Sequence, residues 1–126
     1  MTLENFRIPS TRGDTDLNCC RWVPEGTVKA VLQISHGMIE HITRYSDFAR
    51  FLNGRNIAVY GHDHLGHGDT TPNDLGFIAE EGGDAVLVDD LFEVTKRIES
   101  EYPDTPLFLL GHSMGSFVAR RYITKY

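Results

Sequence analysis

A Gly-x-Ser-x-Gly segment at residues 111–115 is the part of the sequence best suited to chemistry. A serine flanked by small residues can occupy the sharp, strained turn between a strand and a helix, where its hydroxyl is exposed for nucleophilic attack. The apolar run Leu107–Leu110 before it is typical of a strand buried on both faces, and Ser116–Tyr122 after it has helical spacing. The sequence therefore predicts Ser113 as a nucleophile held on such a turn.

A serine that attacks a carbonyl group also needs N–H groups that bind the negative charge developing on the oxygen, each contributing about 3 kcal/mol. The Met114 N–H, directly after the nucleophile at the start of a helix, is one candidate donor. The turn His36-Gly37-Met38, which follows an earlier apolar strand, offers the Met38 N–H as the second donor. Gly37 would allow a close approach, and His36, Gly37 and His112 are expected to lie beside the substrate.

A histidine-rich segment over residues 62–67 supports a different hypothesis, because imidazoles at this spacing can bind zinc in metallohydrolases. That class of site uses His-x-His-x-Asp-His, and Gly66 stands where the carboxylate would be needed. The segment therefore predicts a tight, glycine-hinged loop with His67 near the site and no metal. A zinc hydrolase that uses His62, His64 and His67 is the weaker alternative.

Five short apolar segments predict strands, and the first two are expected to form a hairpin around the turn residues Arg12-Gly13-Asp14. The predicted strands are Phe6–Ile8, Leu17–Val23, Val28–Ser35, Ile57–Tyr60 and Leu107–Leu110. Between the fourth and fifth strands lies a long polar passage from Gly61 to Gly83, and loops of this length commonly carry function.

Helical periodicity appears between the strands. A first helix is predicted from Arg44 and is stopped by a left-handed residue at Gly54 or Asn56; its core stripe would be Tyr45, Phe48, Phe51 and Leu52. A second helix would be N-capped by Asp84 and end at Tyr102-Pro103, with the core stripe Leu87, Leu91, Val94 and Ile98. Alternating strands and helices predict an α/β fold, with a mostly parallel sheet flanked by helices and a site at the carboxyl ends of its strands.

The composition narrows the class of protein. With 126 residues the chain is at most one domain, and its net charge of −6 disfavours a nucleic-acid partner. The sequence shows neither a signal peptide nor a membrane-spanning segment, so a cytoplasmic location is expected. Cys19 and Cys20 are adjacent and would point to opposite faces of a strand as reduced thiols.

Three ordered motifs together resemble the α/β-hydrolase family, in the branch containing monoacylglycerol lipases and bacterial lysophospholipases. The motifs are His36-Gly37-Met38-x-Glu40-His41-x-x-Arg44-Tyr45, Tyr60-Gly61-His62-Asp63-His64-x-Gly66-His67-Gly68 and Gly111-His112-Ser113-Met114-Gly115-Ser116. The resemblance covers roughly Asn18 to Tyr126 and implies a serine ester hydrolase without metal or organic cofactor. It further implies an acyl-enzyme on Ser113, the Met38 and Met114 N–H groups as oxyanion hole, and a small acyl ester or lipid as substrate.

The sequence departs from this family after the nucleophile. The family's catalytic acid and histidine follow the serine along the chain, whereas residues 114–126 contain no Asp, Glu or His. Residues 1–126 are therefore expected to be the amino-terminal portion of a single α/β-hydrolase domain, incomplete after the nucleophile helix, without a separate lid domain and inactive alone. The alternative is a non-catalytic fragment that self-associates or binds another chain through an open sheet edge at Leu107–Leu110.

Overall fold

A computed structural model describes residues 1–126 as a five-stranded sheet with helices on both faces. The strands are β1 (Thr2–Pro9), β2 (Asp16–Val23), β3 (Ala30–Ser35), β4 (Ile57–His62) and β5 (Leu107–Gly111). The helices are α1 (Ser46–Asn53), which follows a short 3₁₀ turn at Ile42–Tyr45, α2 (Gly83–Glu101) and α3 (Met114–Lys125). No helix combines the length and apolarity required to cross a membrane.

The strand order β1-β2-β4-β3-β5 confirms the predicted α/β fold, with one refinement. Strands β4, β3 and β5 are parallel neighbours, as expected of strands separated by helices. The hairpin β1-β2 is antiparallel within itself and against β4, so the sheet as a whole is mixed. Strand β5 forms one edge of the sheet, which is the position predicted for Leu107–Leu110.

The core is divided by the sheet into two apolar clusters. Helix α1 covers one face, where Ala49 packs with Trp22 and Ile34. Helices α2 and α3 cover the other face, where Leu91 packs with Val31. Adjacent residues of a strand alternate between faces. Cys19 accordingly belongs to one cluster and Cys20 to the other, and both are buried free thiols, as predicted.

Helix α2 follows its predicted pattern in all but its cap. The predicted stripe of Leu87, Leu91, Val94 and Ile98 is buried, and the helix ends before Pro103. The N-cap is Gly82 in a left-handed conformation, so the prediction of Asp84 was wrong. Asp84 lies in the first turn and forms a salt bridge with Arg121 of α3.

Two predictions of burial were wrong, because apolar type and spacing do not show whether another element covers a residue. Phe108 and Leu110 of β5 point toward a face that no helix covers at this edge, and Phe108 is 60% exposed. In α1 the predicted helix is present and Asn56 takes the left-handed conformation, but Phe48 and Phe51 lie on its outer side. The predicted Tyr45, just before α1, and Leu52 do pack against the core, where the other core-facing residues are Ala49 and Asn53.

Candidate active site

Ser113 occupies the strained turn that the sequence predicts. It follows His112 in the two-residue turn between the end of β5 at Gly111 and the start of α3 at Met114, and its backbone has φ 54° and ψ −120°. A non-glycine residue in this region is held there against a cost on the order of 1–3 kcal/mol. Such strain is found where a fold fixes a functional side chain, here the exposed hydroxyl of Ser113.

The two glycines of the motif are required by space. A Cβ atom on Gly115 would lie 1.9 Å from the Ser35 carbonyl oxygen at the end of β3. A Cβ atom on Gly111 would lie 2.7 Å from the carbonyl oxygen of Gly115 itself. Both obstacles are backbone atoms, which cannot rotate away as a side chain could. The close packing of α3 against the ends of β3 and β5 therefore depends on glycine at both positions.

The predicted site residues meet at one end of the sheet. β3 ends at Ser35, β4 at His62 and β5 at Gly111, and the His112 N–H donates to the Ser35 carbonyl at 3.1 Å. The loop after β3 then passes directly over Ser113, because a Cβ on Gly37 would be 3.2 Å from the Ser113 Cβ. Neighbouring carboxyl ends of parallel strands thus assemble the site, as predicted.

The backbone N–H groups of Met38 and Met114 have no hydrogen-bond partner within the chain. The first lies in the loop that passes over Ser113, and the second opens α3, where the helix leaves its first N–H groups unpaired. Both residues line the same cavity. Two unpaired donors beside a serine are what stabilisation of an oxyanion requires.

Glu40 is a site residue to which the sequence motifs gave no role. Its Oε1 accepts hydrogen bonds from the Gly37 N–H at 2.7 Å and from the Tyr45 hydroxyl at 2.9 Å, and it lies 3.1 Å from His112 Nδ1. Its Oε2 lies 3.6 Å from Arg44 Nε. One carboxylate thereby fixes the loop over Ser113 to the residue that precedes Ser113.

Glu40 is held in its charged form. Burial by itself would raise its pKa, but the hydrogen bonds from the Gly37 N–H, His112 and Tyr45 outweigh burial and lower the pKa to about 2. A carboxylate that accepts several hydrogen bonds is a poor proton carrier at neutral pH. Its place in the site is therefore to position the loop and His112.

His36 supports the site from below. It is fully buried, and its Nε2 accepts a hydrogen bond from the His64 N–H at 3.0 Å, which leaves Nδ1 to donate to the Gly37 carbonyl at 2.7 Å. Both ring nitrogens are therefore occupied within the protein. Burial lowers the pKa of His36, so the ring is neutral. Its side chain joins the loop after β3 to the loop after β4 and does not face the cavity.

The segment after β4 is a tight loop hinged at glycine, as predicted. Gly66 and Gly68 have φ 77° and 52°, and a Cβ on Gly68 would lie 2.3 Å from the Asp63 carboxylate. Buried Asp63 accepts hydrogen bonds from the Ile42 N–H, the Asn18 side chain and the Asp69 N–H. This carboxylate anchors the loop to β2 and to the 3₁₀ turn.

The histidines of this loop lie near one another but do not form a metal centre. His64 Nε2 lies 3.2 Å from the Ser35 hydroxyl, and His67 Nδ1 lies 3.0 Å from the Leu65 carbonyl. No group of three or more His, Cys, Asp or Glu side chains in residues 1–126 has an arrangement that could hold a metal ion. The alternative of zinc bound by His62, His64 and His67 is therefore not supported by the geometry.

A cavity of about 580 Å³ opens beside the strained turn at Ser113. Its walls come from the loop after β3, from the glycine-hinged loop and its continuation, and from the start of α3. Its apolar lining side chains are Met38, Ile39, Leu75, Ile78 and Met114, and its polar ones are Glu40, His41, His67 and Asp69. Mostly apolar walls with a few polar groups are typical of small-molecule sites of this size.

Comparison with known proteins agrees with this geometry. The family model described as serine aminopeptidase, S33, matches residues 26–126. The chain is 41% identical over 103 residues to monoglyceride lipase of Mus musculus, a match that covers 82% of this chain and 33% of that lipase. It is 30% identical over 112 residues to monoacylglycerol lipase of Mycolicibacterium smegmatis, which covers 83% of this chain and 36% of that enzyme. The chain thus spans about a third of the length of these relatives.

Solved structures give the same result for the fold. A thermostable carboxyl esterase from Bacillus coagulans superposes with a TM-score of 0.90 at 30% identity, over 97% of this chain and 40% of that one. The chain belongs to the α/β-hydrolases of the serine aminopeptidase S33 family, in the monoacylglycerol lipase-like branch.

Proposed function

We propose that this protein contributes the nucleophile and the oxyanion hole of a serine hydrolase that cleaves carboxylic esters of the monoacylglycerol or lysophospholipid type. The observation that carries the proposal is the exposed Ser113 hydroxyl on a strained turn, beside two unpaired N–H groups and a largely apolar cavity. The relatives named as monoglyceride lipases support the substrate class. Neither a metal nor an organic cofactor is part of the proposed reaction.

The proposed reaction is acyl transfer. Ser113 Oγ forms a bond to the ester carbonyl carbon while its proton passes to a general base, and the N–H groups of Met38 and Met114 bind the oxyanion. The intermediate collapses, the bond to the alcohol oxygen breaks, and the alcohol leaves with that proton. Water then attacks the acyl-enzyme by the same route and releases the carboxylic acid.

The general base is proposed to come from outside residues 1–126. His36 is buried with both ring nitrogens occupied, and His112 Nδ1 contacts Glu40 rather than the Ser113 hydroxyl. Residues 114–126 offer no histidine or carboxylate. Without such a base a serine hydrolase accelerates its reaction only about 10³- to 10⁴-fold over water, far less than the intact enzyme. We therefore expect residues 1–126 alone to be inactive.

The test begins with the gene beyond the Tyr126 codon. A reading frame that continues with Asp and His in the family's order supports the proposal. Protein expressed from that frame should hydrolyse monoacylglycerol and react with a fluorophosphonate at Ser113, and Ser113→Ala should abolish both. Hydrolysis that survives in Ser113→Ala would show that the nucleophile is misassigned.

The exposed edge of β5 favours a second candidate function, a non-catalytic fragment that binds another polypeptide. Phe108 and Leu110 are exposed on this edge strand, whose outer backbone groups have no neighbouring strand. An open apolar edge is a template for strand pairing. Size-exclusion chromatography combined with fluorophosphonate labelling separates the candidates. A labelled monomer excludes the fragment function, and a stable, unlabelled complex excludes catalysis by this chain alone.

A cytoplasmic location stays a prediction.

A further inference from the structure

Ile39 occupies a backbone conformation that its side chain does not favour. Its φ is 60°, in the left-handed region, where a β-branched residue is a genuine outlier. Glycine would fit this position without strain. The side chain is 89% exposed and belongs to neither core cluster, so no internal packing offsets the strain.

The place of Ile39 in the molecule suggests what retains it. The residue lies directly after Met38 in the loop that passes over Ser113, and its side chain lines the cavity beside the strained turn. Strained residues cluster at active sites and ligand clamps, where the strain serves the contact that the side chain makes. A molecule bound in the cavity is a candidate for that contact.

Other apolar side chains that line the cavity are also left in water. Leu75 is 68% exposed, and Met38 is also largely exposed. Large apolar side chains grouped around a concave site and left in water mark a surface that a ligand covers. The polar residues Glu40 and His41 line the same cavity, so it presents polar groups together with its apolar side chains.

We propose that Ile39 is a specificity-determining residue, which contacts the hydrocarbon chain of an ester bound in the cavity beside Ser113. The occupant is a single alkyl or acyl chain attached to a small polar head. Leu75, which lines the same cavity, contacts that chain as well, and the strained backbone of Ile39 fixes where its side chain lies. This inference rests on the proposed function for the identity of the ester.

The test uses ligand binding, which does not require Ser113 to react. Butyl, hexyl and octyl glycerol ethers, which cannot be hydrolysed, are titrated below their micelle-forming concentrations and followed by NMR or calorimetry. Each methylene that enters the apolar cavity should strengthen binding roughly fourfold. Ile39→Gly should weaken binding of the octyl ether about tenfold, with a smaller effect on the butyl ether. It should also raise the melting temperature, because the backbone strain is removed.

Two further variants serve as controls. Ile39→Leu keeps the size of the side chain and should bind the octyl ether nearly as the wild type does. Ile123 is a similarly exposed isoleucine on α3 that does not line the cavity, so Ile123→Ala should leave binding unchanged.

The outcomes separate this inference from the proposed function. The assignment of Ile39 is overturned if the wild type and Ile39→Gly bind each ether equally well. It is also overturned if the affinity of the wild type does not depend on the length of the alkyl chain. Chain-length-dependent binding that Ile39→Gly weakens supports it, even if the protein from the full reading frame hydrolyses no ester. That last result would overturn the proposed hydrolysis and leave the apolar contact in place.

Discussion

Substitution of Gly115 by alanine sets helix propensity against packing, and the two effects have opposite signs. Gly115 is the second residue of α3, and within a helix alanine is favoured over glycine by up to about 1 kcal/mol. Propensity alone therefore predicts a more stable protein. The structure predicts the reverse, because the added Cβ would lie 1.9 Å from the Ser35 carbonyl oxygen and 2.5 Å from that of His36.

The size of the effect follows from the displacement needed. Real Cβ atoms essentially never approach another heavy atom within 3.0 Å, so the start of α3 and the end of β3 must separate by about 1.1 Å, the difference between 3.0 and 1.9 Å. Overpacking of this kind costs about 1–3 kcal/mol and sometimes more. The contacting atoms are backbone and cannot turn aside, which favours the upper end. We expect Gly115→Ala to lower the free energy of unfolding by about 2 kcal/mol or more.

Urea unfolding followed by circular dichroism measures this difference. Gly83→Ala is the matched control, because Gly83 begins α2 and its Cβ would meet only side-chain atoms of Ile78, at 3.3 Å, and no backbone. That variant should stay within about 0.5 kcal/mol of the wild type. A Gly115→Ala protein as stable as the wild type, with an unchanged urea dependence, would refute the packing argument.

Three further predictions concern charge and strain. Burial lowers the pKa of His62 from 6.5 in the unfolded chain to about 3 in the folded protein. The stability that neutral His62 allows above pH 6.5 should therefore be lost as the pH falls toward 3. His62→Leu should flatten this pH dependence in acid-unfolding curves, because neither ring nitrogen of His62 has a partner that the variant would lose. The pKa of Glu40 is about 2 in the folded protein against 4.5 in the unfolded chain, so its contribution to the free energy of unfolding is complete above pH 4.5. The stability lost in Glu40→Gln, about 1–2 kcal/mol at pH 7, should therefore shrink between pH 4.5 and 2, and a pH-independent loss would contradict this. Ser113→Gly should stabilise the protein by about 1–2 kcal/mol by relieving strain, whereas Ser113→Ala should not; equal melting temperatures would argue against a strained turn.

The sequence was informative wherever a local rule decided the structure. Residue type predicted the left-handed conformation of Asn56 after α1. Helix and strand periodicity predicted the buried stripe of α2 and the opposite faces of Cys19 and Cys20. The strained turn at Ser113 was predictable because Gly-x-Ser-x-Gly between an apolar strand and a helix is typical of such a turn.

Predictions failed where burial depends on a neighbour in space. Phe51 of α1 and Phe108 of β5 are apolar at suitable spacing, yet both are exposed because no other element of residues 1–126 covers them. Periodicity identifies one face of an element but does not supply its partner. Asp84 is not the cap because α2 already begins at Gly83, and the Asp84 carboxylate is paired instead with Arg121 on a different helix.

The sequence by itself determined the family, the nucleophile candidate and the order of strands and helices, because these depend on residues close together along the chain. Only the tertiary structure brought the loop after β3 over Ser113, gave Glu40 its hold on Gly37 and His112, and buried His36 with both nitrogens occupied. The contact between Glu40 and His112 alone joins positions 72 residues apart. These contacts arise because parallel strands end at a common edge, a relation that no local pattern encodes.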